Sequence, residues 1–322
     1  MKLCRSLLVV FAASLFGGCA VVDGLLPQAS PQYQVVDSAQ PANRYSYNDD
    51  DVVGDVRVVI ATHEDTLPAL ARRYDVGYDE IVGANPGVDV WLPGAGTEIV
   101  LPTRFILPPG PREGIVINVA ARRLFYYPVS EPGVVLTFPV GIGRDDWATP
   151  LGAATVVDKL VEPAWYPPAS IRAEHAAKGD PLPAIVPPGP DNPLGRHALL
   201  LSMDGYLLHG TNKPAGVGMQ VSHGCIRLYP EDIEGIFADL PLGTPVRIVD
   251  EPVLAGWRGE QLYMQRYAAI EADSLVEVPA QSGVAVRPKH LRRLDEVRRG
   301  IAVAVGRGAP RPDPLLQLVS VN

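Results

Sequence analysis

Two short segments in the second half of the chain contain residue types that can carry out nucleophilic catalysis. Residues 209–214 read HGTNKP, and residues 221–228 read VSHGCIRL. Cys225 stands two residues before Arg227, and His209 lies sixteen residues upstream of the cysteine. A thiolate is a strong nucleophile, but an unperturbed thiol is mostly protonated near neutral pH, so a nearby histidine is the expected base. The pattern predicts a thiol nucleophile at Cys225.

The residues around this cysteine leave several roles open. Gly224 lets a substrate carbonyl approach the backbone, where the N–H groups of Gly224 and Cys225 can stabilise an oxyanion. His223 is an alternative base, although its position argues against it, because with one residue between them His223 and Cys225 would sit on one tight turn. A zinc site formed by His209, His223 and Cys225 is a further alternative, although neither histidine stands in an HExxH pattern. A buried, inert cysteine is the purely structural interpretation.

Both segments resemble the catalytic signature of the L,D-transpeptidases, whose catalytic domain is the YkuD type. The resemblance rests on HGT at 209–211 and SHGCIR at 222–227, in the order and at the spacing of the family. It extends over residues 110–250. The whole chain is most similar to the ErfK/YbiS/YcfS/YnhG subgroup, the periplasmic enzymes that join an outer-membrane lipoprotein to peptidoglycan.

This resemblance implies a role for each residue of the signature. Cys225 would attack the carbonyl that precedes the terminal D-Ala of a peptidoglycan stem tetrapeptide. His209 would accept the thiol proton and later protonate the leaving D-Ala. The Gly210 carbonyl would orient the imidazole, and Gly224 would contribute to the oxyanion site. Arg227 would bind a substrate carboxylate or brace the loop. No metal or organic cofactor is expected, and carbapenem-type β-lactams are expected to acylate the thiol.

Further residues are expected to shape the substrate pocket. A long segment without regular structure, residues 161–197, has the properties of a lid or a binding loop. The predicted pocket residues are Ser222, His223, Thr211, Trp165 and Tyr166. For Ser222 and His223 the alternative is structural hydrogen bonding, and for Trp165 and Tyr166 it is packing of the lid onto the sheet.

The elements that must position these residues are short strands. Residues 115–119 and 123–127 predict a hairpin, and further strands follow up to residues 244–249. Residues 231–240 predict the one clear helix of this region, with Ile233 and Ile236 facing inward. The sequence therefore predicts a mainly β fold, with a sandwich or barrel-like YkuD-type catalytic domain, one or two helices, a small βααβ module and a small α/β C-terminal subdomain.

The small module precedes the catalytic domain. A strand at 58–60, a helix at 67–74 capped by Asp65, a short helix capped by Asp79 and a strand at 98–101 give the order β-α-α-β. The segments DTL at 65–67, ARRY at 71–74 and ANP at 84–86 resemble a LysM module, which binds glycans that contain N-acetylglucosamine. Glu64 stands where that family usually has glycine, so a spacer without glycan affinity is the alternative.

Bulk properties and the N-terminus point to an exported protein. The formal net charge of -8 weighs against nucleic acid as a partner. Lys2 and Arg5 precede a short apolar run that ends in small residues, which is typical of an export signal. Cys19 is a candidate for lipidation at the outer membrane, and cleavage near residue 20 is the alternative. In both cases a periplasmic location is expected, and Cys225 remains as a free thiol.

The chain divides into five predicted parts. They are an export signal at 1–19, a linker at 20–55, a LysM-like module at 56–104, the catalytic domain at 112–250, and a C-terminal subdomain with its tail at 251–322. Part of the linker could instead pack as a strand on a later domain, and a proline-rich joint at 102–111 should hold the two modules semi-rigidly.

The expected partners are peptidoglycan, as donor peptide and as glycan, and an acceptor amine. The terminal lysine of an outer-membrane lipoprotein is the favoured acceptor, followed by a second stem peptide in a 3-3 cross-link. Water as acceptor would make the protein an L,D-carboxypeptidase. A non-catalytic peptidoglycan-binding protein is the remaining alternative.

Overall fold

The computed structural model describes residues 34–35, 43–267 and 300–307. Cys19 and the helix predicted at 289–299 lie outside the described residues. The described part contains four α-helices: α1 (Leu67–Arg73), α2 (Tyr78–Ala84), α3 (Ala169–Ala177) and α4 (Pro230–Phe237). None of these helices is long and apolar enough to cross a membrane.

Nineteen strands make this part of the chain mainly β, as predicted. They are β1 (Gln34–Val35), β2 (Arg44–Ser46), β3 (Val52–Gly54), β4 (Arg57–Ile60), β5 (Glu98–Leu101), β6 (Arg104–Ile106), β7 (Gly114–Asn118), β8 (Arg123–Tyr127), β9 (Val134–Pro139), β10 (Ile142–Gly143), β11 (Gly152–Val161), β12 (His197–Leu201), β13 (Leu207–His209), β14 (Gln220–Ser222), β15 (Ile226–Arg227), β16 (Pro245–Val249), β17 (Val253–Arg258), β18 (Gln261–Arg266) and β19 (Val303–Arg307).

A nine-stranded sheet carries the site. Its strand order is β15-β13-β12-β11-β16-β7-β8-β9-β2. The β13–β15 and β16–β7 pairings are parallel. The C-terminal β17, β18 and β19 form a separate three-stranded antiparallel sheet.

Alternating side chains divide the central hairpin between two hydrophobic clusters. β7 and β8 pair with Ile117 opposite Leu124, and both side chains lie in the main core. Val116 and Phe125 point to the other face, into a second cluster. Because successive residues of a strand face opposite sides, a run that is apolar at every position is buried on both faces. The predicted hairpin is therefore confirmed. In α4, Ile233 and Ile236 face the main core, as predicted, although the helix ends at Phe237.

Residues 57–101 form the predicted β-α-α-β order, with β4 antiparallel to β5. Both predicted helix caps were wrong. Thr66 caps α1, accepting from Ala69 N–H at 3.1 Å, whereas Asp65 accepts from Thr62 instead. Gly77 is the N-cap of α2, and the Glu80 carboxylate accepts from the Gly77 N–H at 2.7 Å.

The β-α-α-β unit packs directly on the large sheet. The two parts are therefore held by side-chain and backbone contacts as well as by the predicted proline-rich joint at 102–111. Glu80 on α2 pairs with Arg123 on β8, and the Arg123 side chain is completely buried. The Tyr78 N–H at the start of α2 donates to the Val217 carbonyl at 3.1 Å. A Cβ built on Gly218 would lie 2.3 Å from the Gly77 Cα, so only glycine allows this approach.

The described part of the predicted linker is not a free tether. β2 pairs with β9 and forms one edge of the large sheet, and β3 pairs with β6. Val53 is buried in the second hydrophobic cluster. The alternative interpretation, in which part of 20–55 packs as strand, describes residues 43–55 better than the linker does.

Candidate active site

The parallel pairing of β13 with β15 brings the two halves of the signature together. Leu208 is the register partner of Ile226, and both are completely buried in the main core. His209 is the partner of Arg227, so these two side chains point to the opposite face. Cys225 immediately precedes β15, and the Arg227 charge acts on both the Cys225 thiol and the His209 imidazole. The pairing of β13 with β15 thus brings together segments that are far apart in the sequence.

The ring of His209 is oriented by the backbone. Its Nδ1 lies 2.6 Å from the Gly210 carbonyl oxygen. A carbonyl only accepts, so Nδ1 carries the hydrogen and Nε2 keeps a free lone pair. A base with its lone pair fixed in this way can accept a proton from a thiol. The Gly210 carbonyl thus contacts the imidazole, as the resemblance implies.

Burial sets the protonation of both groups. Burial, followed by the positive charge of Arg227, lowers the pKa of His209 to about 4. Burial raises the pKa of the Cys225 thiol, while the Leu207 backbone N–H and the Arg227 charge oppose this rise. Near pH 7 the pair therefore rests as neutral imidazole and neutral thiol. Proton transfer must accompany attack on the substrate.

The turn before Cys225 is braced by hydroxyl groups. Ser222 Oγ donates to the Cys225 carbonyl at 2.6 Å and accepts from the Gly224 N–H at 3.2 Å. Because the Gly224 N–H is engaged in this way, the Cys225 N–H is the better candidate for oxyanion binding. Gly224 has a φ of +102°, and a Cβ on it would lie 3.0 Å from the Tyr206 ring. Glycine is required here for the backbone conformation.

Thr149 hydrogen-bonds to the same turn, and the sequence did not predict this contact. Its hydroxyl accepts from the Gly143 N–H at 3.0 Å and donates to the Gly224 carbonyl at 2.8 Å. The side chain is buried. A threonine before a proline indicated only a turn, because nothing local links Thr149 to residues 75 positions later.

Arg227 has a desolvated guanidinium without an acidic partner in the described part of the chain. No ion pair joins it to a carboxylate there, and its Nε is buried without a hydrogen-bond partner. Burial lowers the pKa of this guanidinium. A cation held in this state favours the arrival of an anionic group. Binding of a substrate carboxylate by Arg227 stays a prediction, and so does bracing of the loop.

His223 contacts Glu174 and Trp147. Its Nε2 lies 3.1 Å from Glu174 Oε2, and its ring packs edge-on to Trp147 with 5.3 Å between centroids. Burial lowers its pKa. The described residues contain no group of three His, Cys, Asp or Glu side chains placed to hold a metal ion. The His223 side chain thus contacts Glu174 of α3, whereas the His209 ring contacts the Gly210 carbonyl.

The protein matches known L,D-transpeptidases along most of its length. Residues 112–248 match the YkuD family, the L,D-transpeptidase catalytic domain. The probable L,D-transpeptidase ErfK/SrfK of Salmonella typhimurium is 38% identical over 277 residues, which cover 80% of this chain and 89% of that protein. The chain belongs to the L,D-transpeptidase family.

Two further members of this transpeptidase group are similar. YcfS of Escherichia coli K12, a probable L,D-transpeptidase, is 47% identical over 199 residues, 61% of this chain and 62% of YcfS. YbiS of the same strain is 45% identical over 207 residues, 63% of this chain and 67% of YbiS. The alignments thus span about two thirds of these relatives. The predicted subgroup is confirmed, whereas the LysM assignment of residues 56–104 stays a prediction.

A solved L,D-transpeptidase from Mycobacterium smegmatis aligns at 20% identity over 48% of this chain and 64% of that chain, with a TM-score of 0.33. The family assignment rests on the sequence relatives, not on this alignment.

Residues 161–197, called the lid, were predicted to lack regular structure, but they include a helix. Residues 161–197 contain α3, which has a single buried residue, Ile171. Trp165 exchanges two backbone hydrogen bonds of 2.8 Å with Val186, inside the lid itself. Tyr166 is 66% exposed. Their contact with a donor peptide stays a prediction.

Thr211 lies directly after the base and supports its own loop. It is buried, and its hydroxyl accepts from the Lys213 N–H at 3.0 Å. This contact keeps the chain turning away from β13 after Gly210. Direct contact of Thr211 with the substrate stays a prediction.

Proposed function

We propose that the protein is a peptidoglycan L,D-transpeptidase that works through an acyl-enzyme on Cys225. The observation that supports this most directly is the pairing of β13, which ends at His209, with β15, which begins directly after Cys225, together with the contact of His209 Nδ1 with the Gly210 carbonyl. The family match supports the same reaction class.

The geometry supports the following sequence of steps. The Cys225 sulfur attacks the carbonyl carbon of the donor peptide while Nε2 of His209 takes the thiol proton. The Cys225 N–H stabilises the oxyanion of the tetrahedral intermediate. Collapse breaks the amide bond, and His209 gives its proton to the departing D-Ala amine. The product of this half-reaction is a thioester, with a neutral imidazole restored.

The second half-reaction uses the same groups in reverse. An acceptor amine attacks the thioester carbonyl, and His209 removes a proton from the amine nitrogen. Collapse then expels the Cys225 sulfur, which regains its proton from His209. A new amide joins donor and acceptor, and the enzyme returns to its starting state.

Arg227 is proposed to select the donor. Among the described residues no ion pair joins the Arg227 guanidinium to a carboxylate. Arg227 is the register partner of His209, and its charge acts on Cys225. A substrate carboxylate bound there would fix the donor carbonyl near the thiol. This interaction contributes orientation as well as affinity.

The acceptor and the location are proposed from similarity. The membership of the ErfK/YbiS/YcfS group favours a lipoprotein lysine as the acceptor amine, with a second stem peptide next. We place the enzyme in the periplasm, with Cys19 as a candidate lipid anchor, and propose that residues 56–104 contact the glycan.

Mass spectrometry of reaction products tests this function. The full-length protein is incubated with tetrapeptide muropeptides, with and without a lipoprotein C-terminal peptide, beside Cys225→Ala. Loss of D-Ala with a new peptide-linked product indicates anchoring, and muropeptide dimers indicate cross-linking. Tripeptide alone indicates a carboxypeptidase. Turnover by the Cys225→Ala variant at the wild-type rate contradicts the thioester mechanism.

A further inference from the structure

The carboxylate of Glu174 on α3 is bound by three donors from three segments. Arg144 Nη2 lies 2.6 Å from Oε2, Lys178 Nζ lies 2.6 Å from Oε1, and His223 Nε2 lies 3.1 Å from Oε2. Lys178 directly follows α3, whereas Arg144 follows β10 and His223 belongs to the turn of Cys225. Glu174 therefore connects the lid to two segments beside the nucleophile.

The helix that carries Glu174 has little else to fix its position. Ile171 is the one buried residue of α3. Apolar burial is the usual source of helix attachment, so a helix with one buried side chain depends on its polar contacts. The Glu174 carboxylate, 21% exposed, forms such contacts from within α3.

A continuous series of hydrogen bonds runs from Glu174 to the nucleophile. Arg144 donates to Glu174 through its side chain and to the Ser222 carbonyl through its backbone N–H, at 3.1 Å. Ser222 in turn donates from Oγ to the Cys225 carbonyl at 2.6 Å. A shift of the lid thus has a direct route to the residue that carries the thiol.

Glu174 also fixes the ring of His223. A carboxylate only accepts, so Nε2 of His223 carries the hydrogen in this contact. The ring is held on a second side by Trp147 at 5.3 Å. Since His223 and Cys225 flank Gly224, the orientation of this ring is linked to the backbone that would bind the oxyanion.

We propose that Glu174 is a positioning residue for the transpeptidase reaction: it holds α3 and the His223 ring against the turn that carries Cys225. The proposal rests on the proposed function of Cys225. Glu174 itself does not touch the reacting atoms. It acts through His223 and, by way of Arg144, through Ser222.

Several charged or titratable groups lie near His223 or contact one of its neighbours, and they influence any measurement of its pKa. They are Glu174, His175, Lys178 and Asp180 of the lid, Arg144, Asp145 and Asp146 after β10, and Arg227 of β15. Glu174 favours the protonated form of His223, whereas Arg144 and Arg227 oppose it. Removal of the Glu174 charge should therefore lower the pKa of His223 further.

The test uses Glu174→Gln in the full-length protein, with Lys178→Gln as the matched control. Lys178 binds the same carboxylate but is 64% exposed and contacts no other segment there. We expect Glu174→Gln to lower kcat/KM for the tetrapeptide donor about ten- to a hundredfold, mainly through kcat. The control should stay within about twofold of wild type, because exposed pairs contribute little. The His223 pKa, measured by NMR, should fall in Glu174→Gln alone.

A double-mutant cycle with His223→Gln separates positioning from simple support of the fold. If Glu174 acts through His223, the losses in kcat/KM from the two single variants are not additive. Additive losses, equal losses in Glu174→Gln and Lys178→Gln, or wild-type activity of Glu174→Gln would each overturn the proposal. The proposed function fails separately, if Cys225→Ala turns over the donor.

Discussion

His209 and Arg227 are direct register partners in the parallel pairing of β13 with β15. The imidazole is buried beside a guanidinium that has no acidic partner in the described part of the chain. Both features disfavour a positive charge on the ring, and burial is the larger of the two. The His209 ring is therefore kept neutral by its position in the fold.

The first prediction concerns the pH dependence of the reaction. The pKa of His209 is lowered to about 4, so the imidazole is neutral and able to accept a proton above that pH. As pH falls, activity should be retained through pH 6.5 and lost only towards pH 4 to 5. The check is kcat/KM for the tetrapeptide donor from pH 4 to pH 8. An acid limb centred at pH 6.5 would contradict a buried neutral base.

The second prediction concerns Arg227. Arg227→Gln removes a positive charge that lowers the pKa of His209, so this pKa should rise. The same change removes the proposed carboxylate site, and KM for the donor should increase about tenfold or more. NMR titration of His209 and steady-state kinetics measure the two effects.

Arg227→Lys is the control for charge. Lysine keeps the positive charge but cannot form a bidentate contact, so the His209 pKa should stay low while KM still rises. An unchanged KM in both variants would assign Arg227 to bracing of the loop.

The third prediction concerns the buried pair that joins the β-α-α-β unit to the large sheet. Arg123 donates to Glu80 at 2.8 and 2.6 Å, and it also donates to the Asp75 carbonyl at 3.0 Å. Glu80→Gln removes the one carboxylate that forms an ion pair with the buried guanidinium among the described residues, and we expect a loss of about 3–5 kcal/mol in the free energy of unfolding. Urea denaturation measures this loss.

The exposed pair between Arg72 and Glu231 serves as a comparison in the same interface. It is bidentate, with distances of 2.7 and 2.9 Å, but both side chains are more than 40% exposed. Glu231→Gln should cost about 1 kcal/mol or less. Similar losses for Glu231→Gln and Glu80→Gln would show that burial is not the reason for the effect.

The fourth prediction concerns the close contact of two glycines. A Cβ on Gly77 would lie 2.9 Å from the Gly218 Cα. Because this neighbour is a backbone atom, a side-chain rotation cannot relieve the contact. Gly77→Ala should therefore lower the free energy of unfolding by about 1–3 kcal/mol. Gly77 has a φ of -75°, so the cost is steric and not conformational.

Gly235→Ala is the matched control for this contact. Gly235 lies in α4, and a Cβ there would meet nothing within 4 Å. Alanine favours helix over glycine, so this variant should be as stable as wild type or more stable. A loss in Gly77→Ala no greater than that in Gly235→Ala would mean that the two segments are not held together by this approach.

Local patterns predicted the strands well and the helix ends poorly. The β7–β8 hairpin followed from two apolar runs separated by a short turn, a signal that lies within a few residues. The caps failed because several residues near each helix start could accept a hydrogen bond. Asp65 lost that role to Thr66 since its carboxylate binds Thr62 and Arg73. Such a choice depends on partners that the local sequence does not specify.

The lid helix shows a second limit of local patterns. α3 lies between proline-rich stretches and has one buried residue, so no apolar periodicity marks it. Its position is set by Glu174, whose partners Arg144 and His223 lie 30 and 49 residues away. The residues around α3 therefore do not predict either contact.

The sequence by itself determined the family and the reaction class and predicted the nucleophile and the base, because HGT and SHGCIR are contiguous signatures that can be recognised without the fold. Only the tertiary structure decided what surrounds them. Strand register placed Arg227 beside His209, the lid bound His223, and the Gly77–Gly218 approach joined the β-α-α-β unit to the loop between base and nucleophile. Each of these contacts joins segments whose pairing follows from the packing of the whole domain.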